Sequence, residues 1–148
     1  MRVGTHRGEK RLANRLKLHY AGRARRSVFR RHVGNALVRA GLVVAIPSDA
    51  APVDSDQFDP ELESLISARF AETFIFSVLR VDEVSDRLRL EAGLIASLSS
   101  EPAAPPSKNW LGHHSTVRVV RESGLWNKHH VGGTPLAFAD FELLRRSI

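Results

Sequence analysis

Residues 84–98, VSDRLRLEAGLIASL, force a choice on any fold this chain adopts. Read as a helix, the stretch places Val84, Leu88, Ile95 and Leu98 on one face, at helical spacing. Glu91 falls in the middle of that face. An ionised carboxylate left unpaired in apolar surroundings costs several kcal/mol or more, so it must be paired, protonated or bound to a metal. An arginine from another helix would make Glu91 purely structural. A metal ion would make it chemical.

Charge distribution helps to choose between these readings. The 148-residue chain carries a net charge of +6, and its first forty residues hold twelve Arg or Lys against Glu9 alone. That segment is +11 and the remainder is −5. Such asymmetry is the footprint of a polyanion contact, with DNA, RNA and anionic surfaces all consistent with it. A basic face kept for solubility is the plainer alternative. Hydrophobic residues make up 43% of the chain, enough for one globular domain over 1–148. No apolar run approaches the length of a membrane span, and no apolar stretch follows the basic N-terminus as in a signal peptide. Cysteine is absent, which excludes disulfides, thiol nucleophiles and thiolate zinc sites. A cytoplasmic location is the default expectation.

In chain order, residues 1–4 read as the tail of a strand, and THRGE (5–9) as a polar turn. A first helix is predicted over 10–20, with Leu12, Leu16 and Tyr20 inward. Arg15 and His19 lie one turn apart on it and can reach one point. AGRARR (21–26) reads as a basic loop, and Ser27 as the N-cap of a helix running to about Ala40. The inner face of that helix is Phe29, Val33, Ala36, Leu37 and Ala40. Arg23, Arg25, Arg26, Arg30 and Arg31 are predicted to contact phosphates without reading sequence. Residues 41–46 form a short apolar run, possible as a strand, and 47–60 a loop or insertion. Asp59-Pro60-Glu61 is a helix start, with Leu62, Leu65, Ile66 and Phe70 inward. TFIFSVLRV (73–81) is the best strand candidate, followed by Asp82 as the cap of the Glu91 helix. Residues 99–115 form a proline-rich loop, TVRVV (116–120) a short strand and 138–146 a closing helix.

Nucleotide-binding and serine-nucleophile signatures are missing: there is no GxxxxGK[ST], GxGxxG or GxSxG. The adjacent pairs His113-His114 and His129-His130 point their side chains apart and make a weak zinc site. What is left is Arg15, His19 and Glu91 near a basic surface, a set suited to phosphodiester chemistry. A divalent cation on Glu91 would neutralise developing charge while Arg15 held a non-bridging oxygen, with His19 as a base in principle. One carboxylate suffices for Mg²⁺, which keeps waters and takes other ligands from substrate.

These residues resemble the GIY-YIG nuclease family. The second half of its name motif is similar to Arg2-Val3-Gly4, with Arg2 where the family has tyrosine. Its helix with Arg and, four residues on, His matches Arg15 and His19 in NRLKLH. Its Glu-bearing helix matches Glu91 in RLRLEAGLIASL, and Asn109 in PSKNWLG matches a later asparagine. VFRRHVGNAL and ESGLWN also look like a divergent branch of the group. The resemblance implies an α+β fold, a small antiparallel sheet flanked by several helices. It implies a metal-dependent DNA endonuclease using Mg²⁺ or Mn²⁺, with Arg15 on the scissile phosphate and Glu91 as metal ligand. The first motif strand is missing, and Tyr20, the only tyrosine, matches neither motif tyrosine. The activating group is therefore the part of the pattern from which this chain departs. Two other readings are a non-catalytic nucleic-acid-binding module with the same fold, and a structural or partner-binding protein in which Arg15 and Glu91 simply pair.

Overall fold

A computed structural model describes residues 1–6, 8, 11–43, 58–100 and 105–146. Six α-helices occur among them: α1 (Leu12–Ala21), α2 (Val28–Arg39), α3 (Pro60–Thr73), α4 (Val84–Ser100), α5 (Arg118–Ser123) and α6 (Phe138–Arg146). Short 3₁₀ turns occupy Ala24–Arg26 and Leu111–His114. No strand is formed among the described residues, which overturns the expected α+β class with its antiparallel sheet.

The strand candidates on described residues are each accounted for by what surrounds them. Thr73 closes α3, and the Phe74 N–H still bonds back to the Phe70 carbonyl. Residues 75–80 then run exposed, with Ile75 97% accessible. Their β-branched and aromatic content favours a strand only when a neighbour supplies a ladder, and none is present among the described residues. Val117 precedes the short helix α5, which stops at Gly124 in the left-handed region (φ 72°). At the N-terminus the backbone is satisfied by other means, described below. The run 41–46 and the insertion 47–60 lie largely outside the described residues; Asp59 and Pro60 start α3 as expected.

The two best-capped helices form the core. Ser27 Oγ accepts the Arg30 N–H (3.1 Å), and Asp59 Oδ1 accepts the Leu62 N–H (2.8 Å). α2 leaves through Gly41 at φ 66°, with the Leu42 N–H on the Leu37 carbonyl (3.1 Å). Phe29, Val33, Ala36 and Leu37 pack against Leu62, Ile66 and Phe70, and Val43, Val120 and Trp126 belong to the same cluster. Gly34 sits where α2 and α3 meet: a Cβ there would lie 2.5 Å from Phe58 Cε2 and 2.7 Å from Ile66 Cδ1. Leu65, assigned to the inner face by periodicity, is exposed.

Arg30 is fully buried, not on the surface as a phosphate contact. Its Nε bonds Glu63 Oε2 at 2.7 Å; its Nη atoms donate to the carbonyls of Glu63, His19 and Tyr20 and to Ser67 Oγ. A buried charge tolerates this position only because its donors are all spent on partners. Glu63 Oε1 also takes the Ala24 N–H at 2.7 Å, so one ion pair joins α1, the first 3₁₀ turn, α2 and α3.

α4 is supported differently. Its buried positions are Leu90, Gly93, Ile95 and Ala96, not the predicted Val84 and Leu98, which are exposed. Leu136 covers Gly93, and Ser97 and Ser99 accept the N–H groups of Leu136 and Gly132. Arg89 pairs with Asp140 of α6. Asp82 does not cap α4; it pairs with Arg80 at 2.8 Å. No described helix is long and apolar enough to cross a membrane.

Candidate active site

The first residues of the chain bring the two halves of the site together. Trp126 donates its N–H to the Met1 carbonyl (2.9 Å). Asn127, buried in the ESGLWN segment, accepts the Val3 N–H (3.1 Å) and donates to the Val3 carbonyl (2.8 Å). One side-chain amide thus does the work of a strand neighbour. Two residues on, the Thr5 N–H donates to Glu91 Oε1 at 3.1 Å. Glu91 is half-buried and has no ion-pair partner among the described residues. The Arg15–Glu91 pairing considered as a structural alternative is therefore not formed.

Arg15 and Glu91 instead line one open cleft of about 800 Å³, with Thr5, His6, Arg11 and Asn14. A smaller cavity of about 190 Å³ adjoins it through Arg15 and is lined by Arg2, His19, Arg26, Ser27 and Phe29. Three arginines, Arg2, Arg15 and Arg26, are among its lining, with no carboxylate among the described residues there. Arg2 donates to the Trp126 carbonyl (3.0 Å), and its guanidinium lies 5.1 Å from the Phe29 ring centroid. Burial, and then the Arg15 charge, lower the Arg2 pKa from its ordinary value, while Glu91 acts to raise it.

His19 is a different group from the base expected of it. Burial, then the charges of Arg2 and Arg15, push its pKa from 6.5 down to about 4. The ring is neutral near pH 7 and a weak proton acceptor. Its Nδ1 lies 2.7 Å from Ser27 Oγ, the same oxygen that accepts the Arg30 N–H. The network is complete when the hydroxyl gives its one hydrogen to Nδ1, which assigns the ring proton to Nε2. His19 then presents an N–H donor rather than a lone pair.

The remaining sequence candidates divide. Arg23, Arg25 and Arg26 are exposed, Arg31 is half-buried, and Arg30 is in the core. Asn109 is exposed on a turn and lines neither cavity, whereas Asn127 holds Val3. Sequence reasoning missed Asn127, Thr5 and His6. The signal for the last two lay in the THRGE turn directly after Arg2-Val3-Gly4.

Among the described residues, Glu91 is the sole carboxylate of the cleft lining, and they contain no cluster of three or more His, Cys, Asp or Glu. That donor set does not suit Zn²⁺, which takes three or four protein ligands. It suits Mg²⁺, which binds through one or two carboxylates and keeps its waters.

A family model described as a GIY-YIG domain matches residues 1–145. No curated protein and no solved structure matches the chain.

Proposed function

Because the chain belongs to the GIY-YIG nuclease family, we propose that it is a metal-dependent DNA endonuclease that hydrolyses phosphodiester bonds in the Arg15–Glu91 cleft. The observation that carries this reading is the cleft itself. Its lining brings α1 and α4 residues together, and neither Arg15 nor Glu91 is consumed by an ion pair among the described residues.

Arg15 supplies a fixed positive charge to a non-bridging phosphate oxygen, where charge grows in the transition state. His19 offers a neutral Nε2–H to the same phosphate from the adjoining cavity. Arg2 and Arg26 add positive potential there and hold the strand by its phosphates, joined by the exposed Arg23 and Arg25 and by Arg31. Glu91 would hold Mg²⁺ or Mn²⁺ through carboxylate oxygen, and the ion when bound supplies charge neutralisation at the phosphate. The Thr5 N–H orients the carboxylate by holding Oε1.

Plasmid DNA incubated with the protein and Mg²⁺ or Mn²⁺ tests the proposal. Nicking by wild type that disappears with EDTA and in Glu91→Gln is the expected result. Equal nicking by wild type and Glu91→Gln, or no nicking by wild type, sinks it. Salt-sensitive binding without cleavage would identify a binding module instead.

A further inference from the structure

Hydrolysis of a phosphodiester needs a group that takes a proton from the attacking water. The position of the family's motif tyrosine is held by Arg2, a cation with no lone pair to offer. His19 is also unsuited: its Nδ1 is occupied by Ser27, and arginine charges surround it. The cleft nevertheless contains one more imidazole.

His6 lines the cleft with Arg15 and Glu91 and is half-buried. Its Nδ1 lies 2.5 Å from the Gly8 carbonyl oxygen. A carbonyl can only accept, so Nδ1 must carry the ring hydrogen. That leaves Nε2 as a bare lone pair. The tautomer is the opposite of the one Ser27 imposes on His19. His6 is also next to Thr5, whose N–H is fixed on Glu91 Oε1, so the His6 backbone is indexed to the carboxylate. Among the described residues, Arg11, Arg15 and Glu91 are the charged groups that share the cleft lining with it.

We infer that His6 is the general base of the cleft, accepting a water proton at Nε2, and that this inference rests on the endonuclease reading above. In the step, a water oxygen forms a bond to phosphorus as His6 Nε2 takes one of its protons. The bond from phosphorus to the leaving oxygen breaks. That oxygen takes a proton from solvent, and the His6 imidazolium returns its proton to solvent. The sum is one water consumed and one diester opened to a monoester and an alcohol.

Two measurements test the assignment separately from the nuclease reading. In long-range ¹H–¹⁵N NMR spectra of the full chain at neutral pH, His6 is expected to show a protonated Nδ1 and a bare Nε2, and His19 the reverse. A bare Nδ1 on His6 overturns the inference whatever the protein cleaves. In single-turnover cleavage, His6→Ala is expected to lose about 10²- to 10⁴-fold in rate. It should lose the acid limb of the pH–rate profile, keep wild-type DNA affinity in Ca²⁺, and regain activity with added imidazole. A wild-type enzyme that cleaves while His6→Ala keeps its rate and its acid limb refutes the base while leaving the nuclease standing.

Discussion

α2 and α4 each support one half of the cleft, and they do so by different physics. α2 buries eight of its twelve residues, and the Arg30–Glu63 pair binds it to α1, the first 3₁₀ turn and α3. α4 buries four of seventeen, and its contacts are largely to irregular chain around 130–137 and to Thr5. Arg15 and His19 ride on α1, which the α2 network holds, while Glu91 rides on α4. The Arg15 half is thus anchored to the core, and the Glu91 half rests on irregular chain and on the Arg89–Asp140 pair. Rigid elements hold reactive groups more closely than loops do, so the two halves should fail differently when perturbed.

The largest expected effect comes from the anchor. Arg30→Met removes the cation, leaves Glu63 without its partner and frees three carbonyls of α1 and α3. A loss of about 3–5 kcal/mol is expected in urea or guanidinium unfolding. A loss under about 1 kcal/mol would mean that α2 does not hold α1 in this way. Next come the two site residues themselves. Arg15→Ala should lower cleavage about 10²- to 10³-fold and weaken DNA binding. Glu91→Gln should end metal-dependent cleavage while DNA affinity, followed by fluorescence anisotropy in Ca²⁺, holds or rises. Two glycines then compare the helices directly. Gly34→Ala drives a Cβ into Phe58 and Ile66 at the core and should destabilise by about 1–3 kcal/mol. Gly93→Ala meets the far end of Leu136, 2.6 Å from Cδ2, which can rotate away, so its unfolding midpoint should move by less. Equal shifts would erase the contrast between the two supports.

A separate readout is the pH dependence due to His19. Its folded pKa, about 4, lies below the unfolded value of 6.5, so the unfolded chain takes up the proton first as pH falls. The stability associated with neutral His19 is full above about pH 6.5 and is lost progressively toward pH 4. His19→Gln should flatten that part of the stability curve; an unchanged slope would remove His19 as its source.

The same contrast explains what the sequence made legible. The caps of α2 and α3 were readable because Ser27 and Asp59 act on donors three residues away. Arg15, His19 and Glu91 were readable as types at spacings, and the fold does gather them around adjoining cavities. Arg30 and Arg31 were not separable, because adjacent cations look alike until Glu63 claims one of them. The strand over 73–81 failed because β preference depends on a neighbouring strand, which no local pattern can supply. His19 looked like a base until Ser27 fixed its hydrogen, and His6 looked like a turn residue until the cleft enclosed it. Tautomers are set by partners, and partners come from the tertiary fold.

The Asn127–Val3 clamp has a consequence for timing. Its two hydrogen bonds join positions 124 apart, and synthesis runs from N- to C-terminus. At about 5–20 residues per second, roughly 6–25 s separate the appearance of Val3 from that of Asn127. α1 and α2 leave the ribosome long before the amide that seats the chain's first residues. Thr5 and His6 are therefore positioned late, and a nascent chain carries α1 for most of its synthesis without a finished cleft.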